Sequence, residues 1–263
     1  MKLPPLLAVS VGNRRVRLGR FEDGKLDASQ TVDVEDASAF EAAVQSLVEP
    51  WALSSDLEPA VLMASVNPAR EAAVEKALAK HTGRPVARVE RDLPVPVGRQ
   101  LDSEALPGED RLLNAAAAFD GLKVACAVVD LGTAVTVDFV DGAGTFHGGV
   151  IAPGVGLQLD AMAKRLPHLP TLAFEPPKEP IGHNTVEAMR SGVYHGVRGL
   201  ISTMVEAFAE TSGQFPMVVA TGGDAEAVMQ DWELVDRLAA DLTLLGMQIT
   251  HRTACAARDE ADS

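Results

Sequence analysis

Residues 128–153 contain the feature that most constrains the fold, a pair of strands joined by a very tight turn. The stretch reads VVDLGTAVTVDFVDGAGTFHGGVIAP; an apolar run ends at Asp130, turns at Gly132 and Thr133, and returns as an alternating strand. Glycine at such a tip lets the backbone approach a ligand, while exposed amides and a threonine hydroxyl can bind phosphate oxygens. An ordinary hairpin is the alternative interpretation of this stretch taken alone.

A second copy of the same pattern occurs near the start of the chain. Residues 6–26 read LLAVSVGNRRVRLGRFEDGKL, in which Ser10 aligns with Asp130 and Gly12 aligns with Gly132. Both copies continue through alternating strands to an Asp-Gly turn. The spacing is too long for a repeat array, so it predicts a duplicated domain. Two glycine-tipped hairpins facing one another could hold the phosphates of a nucleotide from both sides.

The first copy also carries a cluster of arginines in an otherwise acidic chain. Four arginines lie close together at Arg14, Arg15, Arg17 and Arg20. Such a cluster can face an anionic ligand or form a solvated strand face, and for Arg17 and Arg20 the solvated face is favoured.

Composition excludes several classes of protein. The chain has 263 residues, of which 47% are hydrophobic and 23% charged, as in an ordinary globular enzyme. A net charge of −14 argues against partners such as nucleic acid or an anionic membrane surface. No apolar run is long enough for a membrane span, and only two cysteines are present, so we expect a cytoplasmic protein.

The remaining pattern is typical of an α/β protein, because strands and helices alternate after each hairpin. Predicted strands are 6–11, 15–21, 25–34, 61–65, 85–89, three within 123–151, and 215–220. Predicted helices are 37–48, 69–81, 109–119, 156–165, a long one from Asn184 or Thr185, and 242–251, followed by a frayed acidic tail. Residues 91–107 are predicted to form a loop over a cleft.

Three helix starts carry recognisable sequence signals. Glu109 and Asp110 occupy a first turn, where the helix dipole favours negative charge. Asn184 and Glu187 form a predicted capping box. Gly222 and Gly223 lie between a strand and a helix, a usual position for a bound nucleotide.

Seven motifs together resemble the type III pantothenate kinases, within the superfamily of actin, sugar kinases and chaperone ATPases. They are SVGN at 10–13, GEDRLLNAAAA at 108–118, DLGTAVTVD at 130–138, GGVIAPG at 148–154, IGHNTVEAMRSGVYHG at 181–196, TGG at 221–223 and DLTLLGM at 241–247. The resemblance implies duplicated ribonuclease H-like (actin-like ATPase) halves, predicted at 1–121 and 122–263, with mixed sheets flanked by helices. It also implies ATP between the halves and a homodimer that completes the pantothenate pocket.

The implied reaction is transfer of the γ-phosphoryl group of ATP to pantothenate, the first step toward coenzyme A. It implies Mg²⁺ and a monovalent cation, K⁺ or NH₄⁺. By motif, Asp110 is the implied general base and Asp130 the implied ligand of the monovalent cation. Substrate contacts are assigned to Gly108, Glu109, Asp110, Arg111 and Thr185, of which Thr185 has an N-cap as its structural alternative. Nucleotide contacts are assigned to Ser10, Val11, Gly12, Asn13, Arg14, Arg15, Thr133, Gly222 and Gly223.

Two departures from the family pattern concern ligands. The family's first hairpin normally reads Asp-x-Gly-Asn-Thr, whereas this chain has Ser10 in place of the aspartate and Arg14 in place of the threonine. The family's tyrosine before the GEDR motif is also absent, since the only tyrosine is Tyr194. A degenerate member that binds nucleotide or pantothenate in a regulatory role is therefore the alternative function, and a kinase of another small hydroxylated substrate is a third.

Overall fold

The computed structural model describes residues 3–51 and 57–261, which divide into two compact units. Unit 1 comprises Met1–Val97, Glu104–Ala117 and Leu242–Ser263, and unit 2 comprises Gly98–Ser103 and Ala118–Asp241. The predicted division at 121 and 122 rests on duplication and stays a prediction. No helix among the described residues is long and apolar enough to cross a membrane.

The helices of the described chain begin close to the predicted positions. They are α1 Ala37–Val48, α2 Pro68–Thr82, α3 Glu109–Leu122, α4 Val155–Arg165, α5 Thr185–Ser212, α6 Ala225–Met229 and α7 Leu242–Ala261. Local signals explain several of these starts. The side chain of Asp36 accepts a hydrogen bond from Ala39 N at the start of α1, and Pro68 occupies the first turn of α2.

Unit 1 is built on a five-stranded mixed sheet in the order β3-β2-β1-β4-β5. Its strands are β1 Leu6–Val11, β2 Arg15–Glu22, β3 Lys25–Asp33, β4 Ala60–Ser65 and β5 Val86–Arg88. β1 pairs antiparallel with β2 and parallel with β4, so β1 and β4 end at the same edge. Apolar side chains of α1 and α2, including Phe40, Leu47 and Leu78, pack with Val9 and Met63 of the sheet.

Unit 2 repeats that topology. Its strands are β6 Gly98–Arg99, β7 Cys126–Leu131, β8 Ala134–Val140, β9 Thr145–Pro153, β10 Met217–Thr221 and β11 Arg237–Leu238. The order β9-β8-β7-β10-β11 matches β3-β2-β1-β4-β5 strand for strand, with β6 added beyond β9. Each copy even has a register irregularity shortly before its Asp-Gly turn, at Arg20/Phe21 and at Phe139/Val140. The sequence prediction of duplicated α/β folds is therefore confirmed.

Four details differ from the sequence predictions. The final helix continues to Ala261 instead of fraying after His251, because alanine, arginine and glutamate favour the helix. The loop at 91–107 contains β6, which pairs with β9 at Thr145 and Phe146. The helix expected after Gly223 is the short α6, whose bounds were not predicted, and β11 was not predicted at all, since so few residues show no periodicity. In the second copy the left-handed turn residue is Gly144, at φ 84°, whereas the first copy turns at Asp23 and Gly24.

Candidate active site

The first hairpin lies at the edge of the unit 1 sheet where β1 and β4 end. The amide of Gly12 donates to Arg15 O at 2.9 Å and closes the tip. The turn that follows β4 is bonded to this hairpin, since Val66 N donates to Val11 O at 3.0 Å. Asn67 Nδ2 also donates to Gly12 O at 3.3 Å. The hairpin backbone is therefore held from the side of α2.

The GEDR residues lie against the same turn at the start of α3. A Cβ built on Gly108 would lie 3.6 Å from Val66 Cγ1 and 2.6 Å from Asp110 Oδ1. The carboxylate of Asp110 therefore folds back over Gly108, where its Oδ1 also accepts a hydrogen bond from Arg111 N at 2.8 Å. A side chain at position 108 would displace the Asp110 carboxylate from this place. Within unit 1 the structure thus places the start of α3 and the end of the first hairpin next to the same turn.

Burial changes the acidity of both carboxylates in this turn. Removal of water raises the pKa of Asp110 above its usual range, and the Arg111 amide and guanidinium oppose that shift. Burial likewise raises the pKa of Glu109, opposed by the Ser65 amide and by the Arg88 guanidinium. A carboxylate with a raised pKa is a stronger base once it is ionised, so Asp110 has the property that proton abstraction requires.

The second of the two hairpins lies in unit 2, and its Asp130 is near the end of β7. A Cβ built on Gly222 would lie 2.6 Å from Asp130 Oδ1 and 2.3 Å from Leu131 O. Gly222 has φ 103°, which side chains rarely adopt. Carboxylate and carbonyl oxygens thus lie side by side next to the glycine pair at 222 and 223. The neighbouring Thr221 Oγ1 is fully buried and has no hydrogen-bond partner in the part of the chain that the structure describes.

The tip of the second hairpin is covered by the start of α4. Gly154 N donates to Thr133 O at 3.0 Å, and a Cβ on Gly154 would lie 2.1 Å from Gly132 O. The N-terminal amides of α4 therefore begin directly beside Gly132 and Thr133. Amides at a helix start favour anions, which makes this end of unit 2 suited to phosphate oxygens.

Thr185 is the first residue of α5, and the cap of that helix is Asn184. Asn184 Oδ1 accepts from Glu187 N at 3.0 Å, while Glu187 Oε2 accepts from His183 N at 2.8 Å. The capping role that was the alternative for Thr185 thus belongs to its neighbour. Thr185 is exposed, and its hydroxyl makes no hydrogen bond within the described residues. Its side chain is available to a ligand.

The arginines of the first copy fall into different environments. Arg20 pairs with Asp27 of the neighbouring strand and donates to Leu47 O at 3.2 Å, so its role is structural. Arg14 and Arg15 are exposed at the hairpin tip beside Asn13. Two cations therefore lie at the tip where the phosphate-binding residues are predicted.

Sequence reasoning missed the residues that assemble the unit 1 part of the site. Ser65 and Asn67 follow the core of β4, and their contacts join the first hairpin to the start of α3. The only signal was Asn67 before Pro68, which marks a helix start but not the hydrogen bond to Gly12. The predicted site residues 10–15 and 108–111 lie in unit 1, whereas Asp130, Thr133, Thr185, Gly222 and Gly223 lie in unit 2.

Metal-binding side chains are sparse in the site. The described residues contain no group of three or more histidine, cysteine or acidic side chains that could hold a metal ion. His147 and His195 contact neighbouring side chains. His147 Nε2 lies 2.8 Å from Asp141 Oδ2, and His195 contacts the ring of Tyr194.

Comparison with known proteins gives a consistent family match. Residues 6–207 match the family model described as type III pantothenate kinase. A type III pantothenate kinase of Dehalococcoides mccartyi strain 195 is 33% identical over 250 residues, covering 94% of this chain and 97% of that protein. A type III pantothenate kinase of Thermus thermophilus is 36% identical over 250 residues, covering 94% of this chain and 98% of that protein.

Solved structures share the fold at low sequence identity. A Campylobacter jejuni protein of the Baf family has a TM-score of 0.62 at 18% identity, covering 95% of this chain and 99% of that one. Component A of (R)-2-hydroxyglutaryl-CoA dehydratase from Acidaminococcus fermentans has a TM-score of 0.53 at 16% identity, covering 96% and 99%. MreB5 of Spiroplasma citri bound to ADP has a TM-score of 0.52 at 10% identity, covering 97% and 98%. The fold is that of the actin-like ATPases.

Proposed function

This chain belongs to the type III pantothenate kinase family, and we propose that Asp110 is the general base in its transfer of the γ-phosphoryl group of ATP to pantothenate. In this reaction the primary hydroxyl oxygen of pantothenate forms a bond to the γ-phosphorus. The bond between that phosphorus and the bridging oxygen breaks, ADP leaves, and the hydroxyl proton passes to Asp110. The product is 4′-phosphopantothenate, the first intermediate toward coenzyme A.

The position and the environment of Asp110 support this role. Its carboxylate lies over Gly108 at the edge where the first hairpin ends, and burial raises its pKa. A base within hydrogen-bond reach of the reacting hydroxyl contributes most when its pKa is close to the working pH. Arg111 follows directly and suits charge-assisted hydrogen bonds to the polar groups of pantothenate. Thr185, with an unbonded and exposed hydroxyl among the described residues, is a second proposed pantothenate contact.

The phosphates of ATP are assigned to both hairpins. Asn13 offers a backbone amide in unit 1, and Thr133 and the start of α4 offer amides in unit 2, whereas the amides of Gly12 and Gly132 close their own hairpin tips. Arg14 and Arg15 add guanidinium groups, which match phosphate oxygens in geometry and charge. Because phosphoryl transfer depends mainly on positioning and charge neutralisation, these groups supply much of what the step needs.

Pantothenate kinases of this family use ATP with a divalent metal, which neutralises the charge on the transferring phosphate. The first hairpin does not fit direct binding of that metal. Ser10 offers a neutral hydroxyl where the family has a carboxylate, and Mg²⁺ prefers charged oxygens or water. We therefore assign residues 10–15 to the phosphates and assign no step to the metal.

A monovalent cation, K⁺ or NH₄⁺, is assigned to Asp130. The carboxylate lies beside the carbonyl oxygen of Leu131 and the backbone of Gly222, an all-oxygen set that suits a hard cation.

A homodimer and a cytoplasmic location complete the proposal. The first is tested by the mass in solution, where a value near one 27.7 kDa chain would contradict it. The free thiols Cys126 and Cys255 are consistent with the second.

The serine at position 10 supports a second candidate function. In this alternative the chain is a degenerate family member that binds ATP or pantothenate without efficient turnover. A single experiment separates the two functions. ATP-dependent formation of 4′-phosphopantothenate is measured with Mg²⁺ and K⁺ for the native protein, Ser10→Asp and Asp110→Asn. Native turnover that is lost in Asp110→Asn supports the kinase. ATP binding without native turnover, with activity appearing in Ser10→Asp, supports the second candidate.

A further inference from the structure

The side chain of Glu109 is bonded to the sheet of unit 1. Its Oε2 accepts a hydrogen bond of 2.8 Å from the amide of Ser65, the last residue of β4. Glu109 immediately precedes Asp110 in the first turn of α3. This bond therefore fixes the helix start to the end of a core strand, one residue away from the proposed base.

A buried cation faces the same carboxylate. Arg88, at the end of β5, is only 5% exposed, and its guanidinium attracts the negative charge of Glu109. Arg88 is itself held by two carboxylates of α2, since its Nη1 pairs with Glu71 and lies 3.2 Å from Glu75 Oε2. The positive charge is therefore fixed in place by α2 and β5.

The hydrogen bond to Ser65 holds the Glu109 carboxylate in place while burial raises its pKa. Burial raises the pKa of Glu109, and Glu71 and Glu90 add to that shift, whereas the Ser65 amide and Arg88 oppose it. A carboxylate that accepts a backbone hydrogen bond in a partly dry environment makes a stronger bond than an exposed one. The start of α3 is thus fixed by a directional bond as well as by packing.

From this geometry we propose that Glu109 is a positioning residue that holds Asp110 in place through the Ser65 amide. The inference rests on the proposed function, because it gives Glu109 a part in the same proton transfer. It replaces the substrate contact that the sequence suggested for Glu109 with an anchoring role. A displacement of about 1 Å at a reacting group can lower a rate by roughly a hundredfold, so such an anchor has a measurable effect.

The test compares Glu109→Ala with Glu109→Gln. Glutamine keeps an acceptor oxygen for Ser65 N, whereas alanine removes it. We expect kcat to fall about ten- to a hundredfold in Glu109→Ala, with the KM for ATP within about twofold of native. We expect Glu109→Gln to keep kcat within about threefold of native. Hydrogen exchange at the Ser65 amide, followed by NMR, is expected to become at least about tenfold faster in the alanine variant only.

Asp36→Ala is the matched control for a general loss of stability in unit 1. Asp36 also accepts a backbone hydrogen bond at a helix start, from Ala39 N at 2.9 Å, but it lies at α1. This variant is expected to lower the melting temperature without changing kcat. An equal fall of kcat in Asp36→Ala and Glu109→Ala would overturn the positioning role, as would equal impairment of the alanine and glutamine variants.

The outcomes also separate this inference from the proposed function. Native turnover that is unchanged in Glu109→Ala would overturn the positioning role and leave the kinase assignment intact. Absence of turnover in both the native protein and Ser10→Asp would overturn the kinase assignment and the catalytic part of this inference together. In that case unchanged Ser65 exchange in Glu109→Ala would overturn the anchor itself.

Discussion

Asp130 and Gly222 approach each other so closely that a Cβ on Gly222 would lie 2.6 Å from the Asp130 Oδ1 atom. The same Cβ would lie 2.3 Å from Leu131 O, and the φ of Gly222 is 103°. We expect Gly222→Ala to lower the free energy of unfolding by about 1–3 kcal/mol through backbone strain. Because the Asp130 carboxylate must move, the proposed activation by K⁺ is expected to weaken as well. Chemical denaturation and a potassium titration of the rate measure the two effects.

Gly199→Ala is the control for that substitution. Gly199 lies within α5, and a Cβ there would meet no atom within 4 Å. Alanine in a helix interior stabilises by about 0.5–1 kcal/mol relative to glycine, so this variant is expected to be more stable and equally active. If both glycine variants lost stability alike, the close approach at Gly222 would not be the cause.

Asp110 is expected to reduce stability while it supports catalysis. Its pKa is raised in the folded protein, so the folded state binds a proton more tightly than the unfolded chain. The stability that this group contributes is therefore full below its unfolded pKa and is lost as pH rises through the folded value. Asp110→Asn is expected to melt at a higher temperature than the native protein at neutral pH, with kcat lowered roughly 10²–10⁴-fold. The gain in melting temperature is expected to vanish in acid, and a gain that persisted there would argue against burial of the charge as its cause.

The same pKa shift predicts the acid side of the rate profile. Asp110 accepts a proton only when it is ionised, so kcat/KM is expected to fall as pH drops through its pKa in the free enzyme. Because burial raises that pKa, the fall is expected at a higher pH than an ordinary aspartate would give. A profile that stays flat down to the usual aspartate range would show that a group other than Asp110 accepts the proton.

Ser10→Asp is expected to raise turnover. Ser10 lies on β1 next to the hairpin tip and is partly exposed, so a longer carboxylate has room at that edge. If a metal-orienting carboxylate contributes about 3 kcal/mol to the transition state, kcat is expected to rise roughly a hundredfold. Ser10→Asn, which has a similar size and no charge, is expected to stay near the native rate. Equal gains in both variants would point to shape rather than to charge at this position.

Gly246→Ala tests how α7 supports the base-bearing helix. A Cβ on Gly246 would lie 2.2 Å from Leu113 O of α3, and Thr243 Oγ1 donates to Asn114 Oδ1 at 2.8 Å nearby. The added methyl group must push α7 away from α3, which we expect to cost about 1–3 kcal/mol of unfolding free energy. Thermal and denaturant unfolding measure this loss, and a neutral result would mean that the two helices separate easily.

Local signals explain which parts of the fold were predictable. The Asp36 and Asn184 caps, the tight turn at Gly12 and the strand before Gly222 depend on neighbours in sequence, and the structure has each of them. The duplication was visible because the two hairpins share a pattern and a length. The two sheets accordingly share one strand order.

The contacts that assemble the site could not be predicted in this way. Ser65 and Glu109 are 44 residues apart, Gly12 and Asn67 are 55 apart, and Asn114 and Thr243 are 129 apart. Each depends on which strand lies beside which and on the rotation of a helix about its axis. A single sequence carries no direct signal of either, so the hydrogen bond from Ser65 N to Glu109 was not predicted, and the substrate contact of Glu109 stays a prediction.

The discontinuous make-up of unit 1 has a consequence for the order in which a growing chain can fold. Unit 2 takes its segments from Gly98–Ser103 and Ala118–Asp241, so all of them are synthesised before α7. Unit 1 begins first but needs Leu242–Ser263, so it is completed last. Domains fold as units during synthesis once their segments are available. A nascent chain that stopped before Leu242 would carry every segment of unit 2. In its α3, Leu113 and Asn114 would lack their contacts with Gly246 and Thr243 of α7.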